Sequence, residues 1–189
     1  MATIDEFIPI LLRWEASVTV KSGETLEAAF ARAKKTGWAN DPHDTGGATM
    51  VGVTLAAYKQ YCAKKGLKVP TATDLKNISF DTWKDIAKTM YWNKCGGDNI
   101  ADQGVANMIA DWVWHSGAGM IKKVQGLVGV AQDGSVGPKT IEAINNTADL
   151  KKKLYDARKA YFEAIVAKNP TQKKWLNGWM NRLNDVYKA

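Results

Sequence analysis

The stretch Ile4-Asp5-Glu6-Phe7-Ile8-Pro9-Ile10-Leu11-Leu12-Arg13-Trp14-Glu15 carries the pattern on which the fold turns. Ile4, Phe7, Ile8, Leu11 and Leu12 recur at the period of one helix face, so an amphipathic first helix is expected over about residues 3–15. Glu15 follows Phe7 and Leu11 at steps of four, which puts it on the apolar side of that helix. Its carboxyl is therefore expected at the edge of the core rather than on the wet face.

The same periodicity returns along the chain. Ser22-Gly23 reads as a turn, and Glu24 to Lys35 as a short charged helix ended by Gly37. Further helices are expected at Thr54–Lys65, at Ser79–Tyr91 with Ser79 as cap, at Asp102–Trp114, and from Gly117-Ala118-Gly119 to about Leu127. Asp133-Gly134-Ser135-Val136-Gly137-Pro138 is a tight connection into a helix starting near Lys139, where Pro138 suits the first turn. Leu150, Leu154, Tyr161 and Ile165 form one late stripe and Trp175, Trp179, Leu183 and Val186 another, parted by Asn169-Pro170. Val18 to Val20 is β-prone, Asn40 to Gly47 is dense in turn formers, and Ala48 to Val53 fits a small strand or hairpin. The expected fold is all-α and mainly helical, with a small β-hairpin or strand near residues 40–54.

Composition narrows the class. With 46% hydrophobic and 24% charged residues in 189, the chain is an ordinary globular one, too apolar for disorder and too evenly mixed for a membrane protein. Eight Trp fit core filling or stacking on sugar rings. Cys62 and Cys95 stand far apart with no His cluster beside them, so two free thiols are expected, with no zinc site and no disulfide framework. The net charge of +7 fits an anionic partner: nucleic acid, an acidic lipid surface or the acidic polymers of a bacterial envelope. Lys151, Lys152 and Lys153 read as a solvated helix face, and no nucleic-acid-binding motif is present. The start of the sequence has no signal-peptide pattern and the chain no apolar run of membrane-spanning length, so stable membrane insertion is not expected.

Glycoside hydrolysis needs a carboxylic acid to protonate the leaving oxygen and a second group to position water or stabilise the cationic transition state. Glu15 suits the first task, because a carboxyl at the end of an apolar stripe is partly desolvated. The bland alternative is a helix-terminal Glu that reaches solvent or pairs with Arg13 or a Lys. Asp44 lies next to Gly46 and Gly47, where backbone can approach a sugar closely, and Thr49 offers a hydroxyl to hold water. A purely structural turn explains those residues as well.

Arg13-Trp14-Glu15 followed by Asn40-Asp41-Pro42-His43-Asp44-Thr45-Gly46-Gly47-Ala48-Thr49-Met50-Val51-Gly52-Val53-Thr54 resembles the signature of glycoside hydrolase family 108, the N-acetylmuramidases. Tyr91-Trp92, Val105 to Gly117, and Gln125 to Thr140 resemble the peptidoglycan-binding region usually joined to that enzyme. The resemblance implies Glu15 as catalytic acid, with Asp44 and Thr49 as the groups across the cleft and Gly46 and Gly47 close to substrate. It implies bacterial peptidoglycan as partner, no metal or cofactor, and cleavage of the β-1,4 bond between N-acetylmuramic acid and N-acetylglucosamine. Asp111, Trp114 and His115 are further candidates for lining the cleft, with His115 alternatively hydrogen-bonded to backbone. The implied layout is a lysozyme-like catalytic region over 1–100 and a peptidoglycan-binding helical region over 101–189, packed together as one monomeric unit acting at the cell wall.

The chain departs from the family pattern in two ways after Glu15, and His115 stands where the family commonly has Asn. The family's Glu-Gly-Gly is Glu15-Ala16-Ser17 here, and the usual few residues before Asn-Asp-Pro have become the segment Ala16–Ala39. That segment brings in Glu24 and Glu27 as rival carboxylates on a charged helix. It also leaves open a peptidoglycan-binding or secretion-associated protein whose cleft has closed.

Overall fold

The computed structural model describes residues 1–40 and 47–189, which divide into two units, Ile4–Met90 and Met1–Thr3 with Tyr91–Ala189. The protein is mainly helical, with ten α-helices and one small antiparallel sheet among the described residues.

In the Ile4–Met90 unit, α1 (Ile4–Ala16) buries Phe7, Ile8, Leu11 and Leu12, the stripe read from sequence. Helix α2 (Leu26–Ala33) is capped by the Thr25 hydroxyl and packs on α1 through Ala29, Phe30 and Ala33. Strands β1 (Trp38–Ala39), β2 (Thr49–Met50) and β3 (Val53–Thr54) pair in order, with Thr49 opposite Thr54 and Met50 opposite Val53. Helix α3 (Leu55–Lys65) starts at the Thr54 cap and ends on Gly66. Helix α4 (Ala72–Lys76) opens with a reciprocal capping box between Thr71 and Asp74, and α5 (Phe80–Ala87) is capped by Ser79. A π-turn over Lys88–Trp92 follows α5, so the expected helix to Tyr91 leaves regular α geometry after Ala87.

Val18–Val20 forms no strand. With no partner strand at hand, the Val18 N–H donates instead to the Leu12 carbonyl at 3.1 Å, closing the end of α1 over Ser17. The Thr19 carbonyl accepts from Arg32 Nη2 at 2.9 Å.

The second unit is built on α6 (Gln103–Ser116), capped by the Asp102 carboxylate and buried from Gly104 to Val113. Around it stand α7 (Met120–Leu127), α8 (Pro138–Asn146), α9 (Leu150–Lys168) and α10 (Lys173–Lys188), with α9 and α10 packed on α6 and on each other. The turn between α7 and α8 is organised by buried Gln125. Its amide donates to Asp133 Oδ1 at 2.7 Å and to the Ser135 carbonyl at 3.0 Å, and its oxygen accepts from the Gly134 N–H at 2.8 Å. The Asp-Gly-Ser-Val-Gly-Pro run is thus a locked structural turn.

Both thiols are free and buried, and burial pushes Cys95 up to about 12. No helix among the described residues is long and apolar enough to cross a membrane.

Candidate functional site

Glu15 sits in the last turn of α1, half-buried, where the apolar stripe runs out. Its side chain lies flat against Gly52. A Cβ placed on Gly52 would stand 2.7 Å from both Cγ and Oε2 of Glu15.

The register of β2 and β3 explains why Gly52 is there. Met50 pairs with Val53, leaving Val51 and Gly52 as a two-residue hairpin turn with φ of 45° and 75°. Positive φ at both positions is the turn that matches strand twist. Glycine takes that geometry freely, whereas a β-branched residue there is strained. Val51 is held in it from three sides. Its N–H donates to the Gly37 carbonyl at 2.8 Å, its carbonyl accepts from Trp83 Nε1 at 3.0 Å, and its side chain is fully buried. Trp83 in turn stacks near Phe30 of α2, with ring centroids 5.0 Å apart. The surface that backs Glu15 is therefore fixed to the core of the unit.

Glu15 also lines a groove. A groove of about 580 Å³ is lined by Glu15, Ala16, Ser17, Val18, Arg32, Lys35 and Thr36. A second groove, of about 490 Å³, is lined by Arg13, Trp14, Ser17 and Thr19, so the two meet at Ser17. Ser17 itself has φ of 55°, the left-handed geometry expected where the family pattern has glycine.

The rival carboxylates are placed differently. Glu24 grips Arg32 with both oxygens, at 2.8 and 2.6 Å, and that hydrogen bonding holds its carboxyl down at about 2. Glu27 is exposed on α2, as expected.

Of the expected partners of Glu15, Asp44 and Gly46 lie outside the described residues. Thr49 is half-buried in β2, and its hydroxyl donates to the Gly47 carbonyl at 3.4 Å. Gly47 has φ of 64° and open space where a Cβ would stand.

Asp111, Trp114 and His115 belong to the other unit. Asp111, expected to line a cleft, is instead completely enclosed between two guanidiniums. Arg182 contacts Oδ1 at 2.7 Å and Arg158 contacts Oδ2 at 2.7 Å. Burial alone would raise its pKa, but Arg182 and then Arg158 outweigh it and hold the carboxyl at about 2. Both oxygens are committed to the core, so none is turned toward a glycan. Burial lowers Arg158 from its ordinary value, Asp111 offsets part of that, and repulsion from Arg182 adds a smaller lowering.

His115 is half-buried, edge-on to Phe162 and Trp179 at centroid distances of 5.8 and 6.3 Å, with Nδ1 3.4 Å from Ser116 Oγ. Burial, then repulsion from Arg182 and Arg158, brings its pKa down to about 4. Trp114 is half-buried with its ring 4.4 Å from that of Tyr91, while Trp112 is fully buried. No cluster of His, Cys, Asp and Glu placed to hold a metal occurs among the described residues.

Sequence reasoning missed Gly52 as the backing of Glu15, and Lys35 and Thr36 as walls of its groove. The first had a signal, since Val51-Gly52 sits between short β-prone stretches as a hairpin turn does.

A mainly helical fold with one small antiparallel sheet is that of a lysozyme-like protein. The comparisons agree with that class. Residues 29–117 match the glycosyl hydrolase 108 family and residues 120–184 match the predicted peptidoglycan domain. The chain is similar to SagA of Brucella abortus, with a TM-score of 0.65 and 32% sequence identity over 84% of this chain and 91% of that one. No curated protein matches it. The chain belongs to the glycosyl hydrolase 108 family and carries the peptidoglycan domain found with it. Its role is in peptidoglycan hydrolysis or binding. Glu15 precedes the matched span, which begins within α2.

Proposed function

We propose that the protein is an N-acetylmuramidase that hydrolyses the β-1,4 bond between N-acetylmuramic acid and N-acetylglucosamine, with Glu15 as general acid. The single observation that carries this is the seat of Glu15, backed by Gly52 and among the residues that line a groove. A donor held from behind presents its proton in one direction, which is what transfer to a leaving oxygen requires.

In the proposed reaction the Glu15 O–H protonates the glycosidic oxygen as its bond to the anomeric carbon breaks, leaving a carboxylate on Glu15. Water, positioned by Asp44 or Thr49, adds to that carbon and releases a proton to solvent, from which the Glu15 carboxylate regains its own. The Thr49 hydroxyl, already turned to a carbonyl oxygen, has a lone pair left to accept from such a water. Asp44 has the charge to stabilise the developing cation. The unit Ile4–Met90 supplies the chemistry, and the peptidoglycan domain adds affinity for the wall.

Mass spectrometry of fragments released from purified walls tests the bond. New reducing ends on N-acetylmuramic acid are expected. Reducing N-acetylglucosamine ends, or sedimentation with walls and no release, would count against the proposal, and the latter is the outcome for a binding protein with a closed cleft.

A further inference from the structure

The groove beside Glu15 has one wall made by the end of α2 and the segment after it, and the two cations on that wall are not equivalent. Arg32 is spent, since Nε and Nη2 donate to both oxygens of Glu24 and Nη2 donates again to the Thr19 carbonyl. Lys35 is exposed, and no acceptor for its ammonium is found among the described residues.

The backbone carrying Lys35 is fixed on both sides. The Lys34 ammonium donates to the Ile78 carbonyl at 2.8 Å, and the Thr36 hydroxyl donates to the Ala16 carbonyl at 3.2 Å. The Gly37 N–H closes on Ala33 at 2.8 Å. A cation with no acceptor among the described residues thus stands on a fixed backbone in the same groove as Glu15. A strand that carries carboxylates is repelled by an ionised Glu15, and a fixed neighbouring cation offsets that repulsion.

We propose that this groove is a carboxylate subsite in which Lys35 recognises an acidic group carried by the muramyl sugar. It rests on the muramidase reading of Glu15. The shared chemistry is a carboxylate, from either the lactyl ether of the sugar or the peptide stem attached through it.

The test is a binding titration of the full chain, its Lys35→Ala variant and its Lys35→Arg variant at low salt. Three soluble probes are used: stem-bearing glycan fragments, amidase-stripped fragments with free lactyl carboxylates, and uncharged chitotetraose. Lys35→Ala is expected to bind a carboxylated probe about fivefold more weakly, with Lys35→Arg restoring it and added salt erasing the difference. Chitotetraose is expected to bind both proteins alike. Loss confined to stem-bearing fragments assigns the stem carboxylate, and loss on stripped fragments assigns the lactyl group. Equal affinities for carboxylated probes, equal weakening toward chitotetraose, or no binding of any probe by the unaltered protein overturns the subsite. Failure of the unaltered protein to cleave walls counts instead against the muramidase reading and leaves the binding comparison intact.

Discussion

The carboxyl of Glu15 rests on the α-carbon of Gly52, so near that a methyl group there would stand 2.7 Å from Oε2. A helix end and a hairpin turn thereby hold one side chain between them. The turn keeps its shape because Val51, strained at φ 45°, is tied to Gly37 and Trp83. The end of α1 keeps its shape because Val18 bonds back to Leu12.

Gly52→Ala is expected to displace Glu15 as well as strain the turn. A shift on the order of 1 Å in a reacting group costs about a hundredfold in rate. The backbone penalty adds about 1–2 kcal/mol of lost stability. Wall lysis and urea unfolding on the same preparation separate the two effects. Near-normal lysis by Gly52→Ala would show that Glu15 does not need this seat.

Ser17→Gly is expected to stabilise the protein by about 1 kcal/mol, because glycine adopts the left-handed geometry at the end of α1 without steric cost. A higher urea midpoint with an unchanged slope is the predicted result. No gain would mean that Ser17 contributes contacts that offset its strain.

Asp111→Asn is expected to cost about 3–5 kcal/mol, since it removes the charge of the carboxylate that the buried guanidiniums of Arg158 and Arg182 both contact. The acid limb of stability follows from the same residue. Its folded pKa of about 2 lies below the ordinary 3.8, so its contribution is complete above pH 3.8 and is lost as pH falls toward 2. Urea midpoints measured across that window in the native protein and in Asp111→Asn check both the size and the sign.

His115 gives a second window. Its folded pKa of about 4 lies below the ordinary 6.5, so folding favours the neutral ring. That contribution is full above pH 6.5 and falls away as pH drops toward 4. In His115→Gln the stability loss between those limits should flatten, and an NMR titration should find the native ring neutral at pH 6. An ordinary titration near 6.5 would contradict the packing described around Phe162 and Trp179.

Much of this architecture was legible in the sequence where one local pattern settles it. The stripe from Ile4 to Leu12 set α1 and put Glu15 at the core edge, and Ser79, Asp102 and Pro138 marked the starts of three later helices. What escaped was non-local or too short. Helix α4 is five residues long and shows no period, although Thr71 and Asp74 spell out a capping box. Nothing near Asp111 indicates that Arg158 and Arg182 arrive from distant helices to enclose it, so its local sequence does not separate cleft lining from a buried ion pair. The fold-back that brings Lys35 and Thr36 to the groove depends on the Thr36 bond to Ala16, which no periodicity encodes. Val18–Val20 has strand propensity but no partner strand among the described residues, and propensity alone makes no sheet.

The most direct test is release of reducing sugar from purified peptidoglycan by the native protein and by Glu15→Gln, with circular dichroism confirming that both are folded. Glutamine keeps the shape of the side chain and removes its transferable proton, so a rate lower by about a hundredfold to ten-thousandfold is predicted. Equal release by the two proteins would contradict Glu15 as the proton donor.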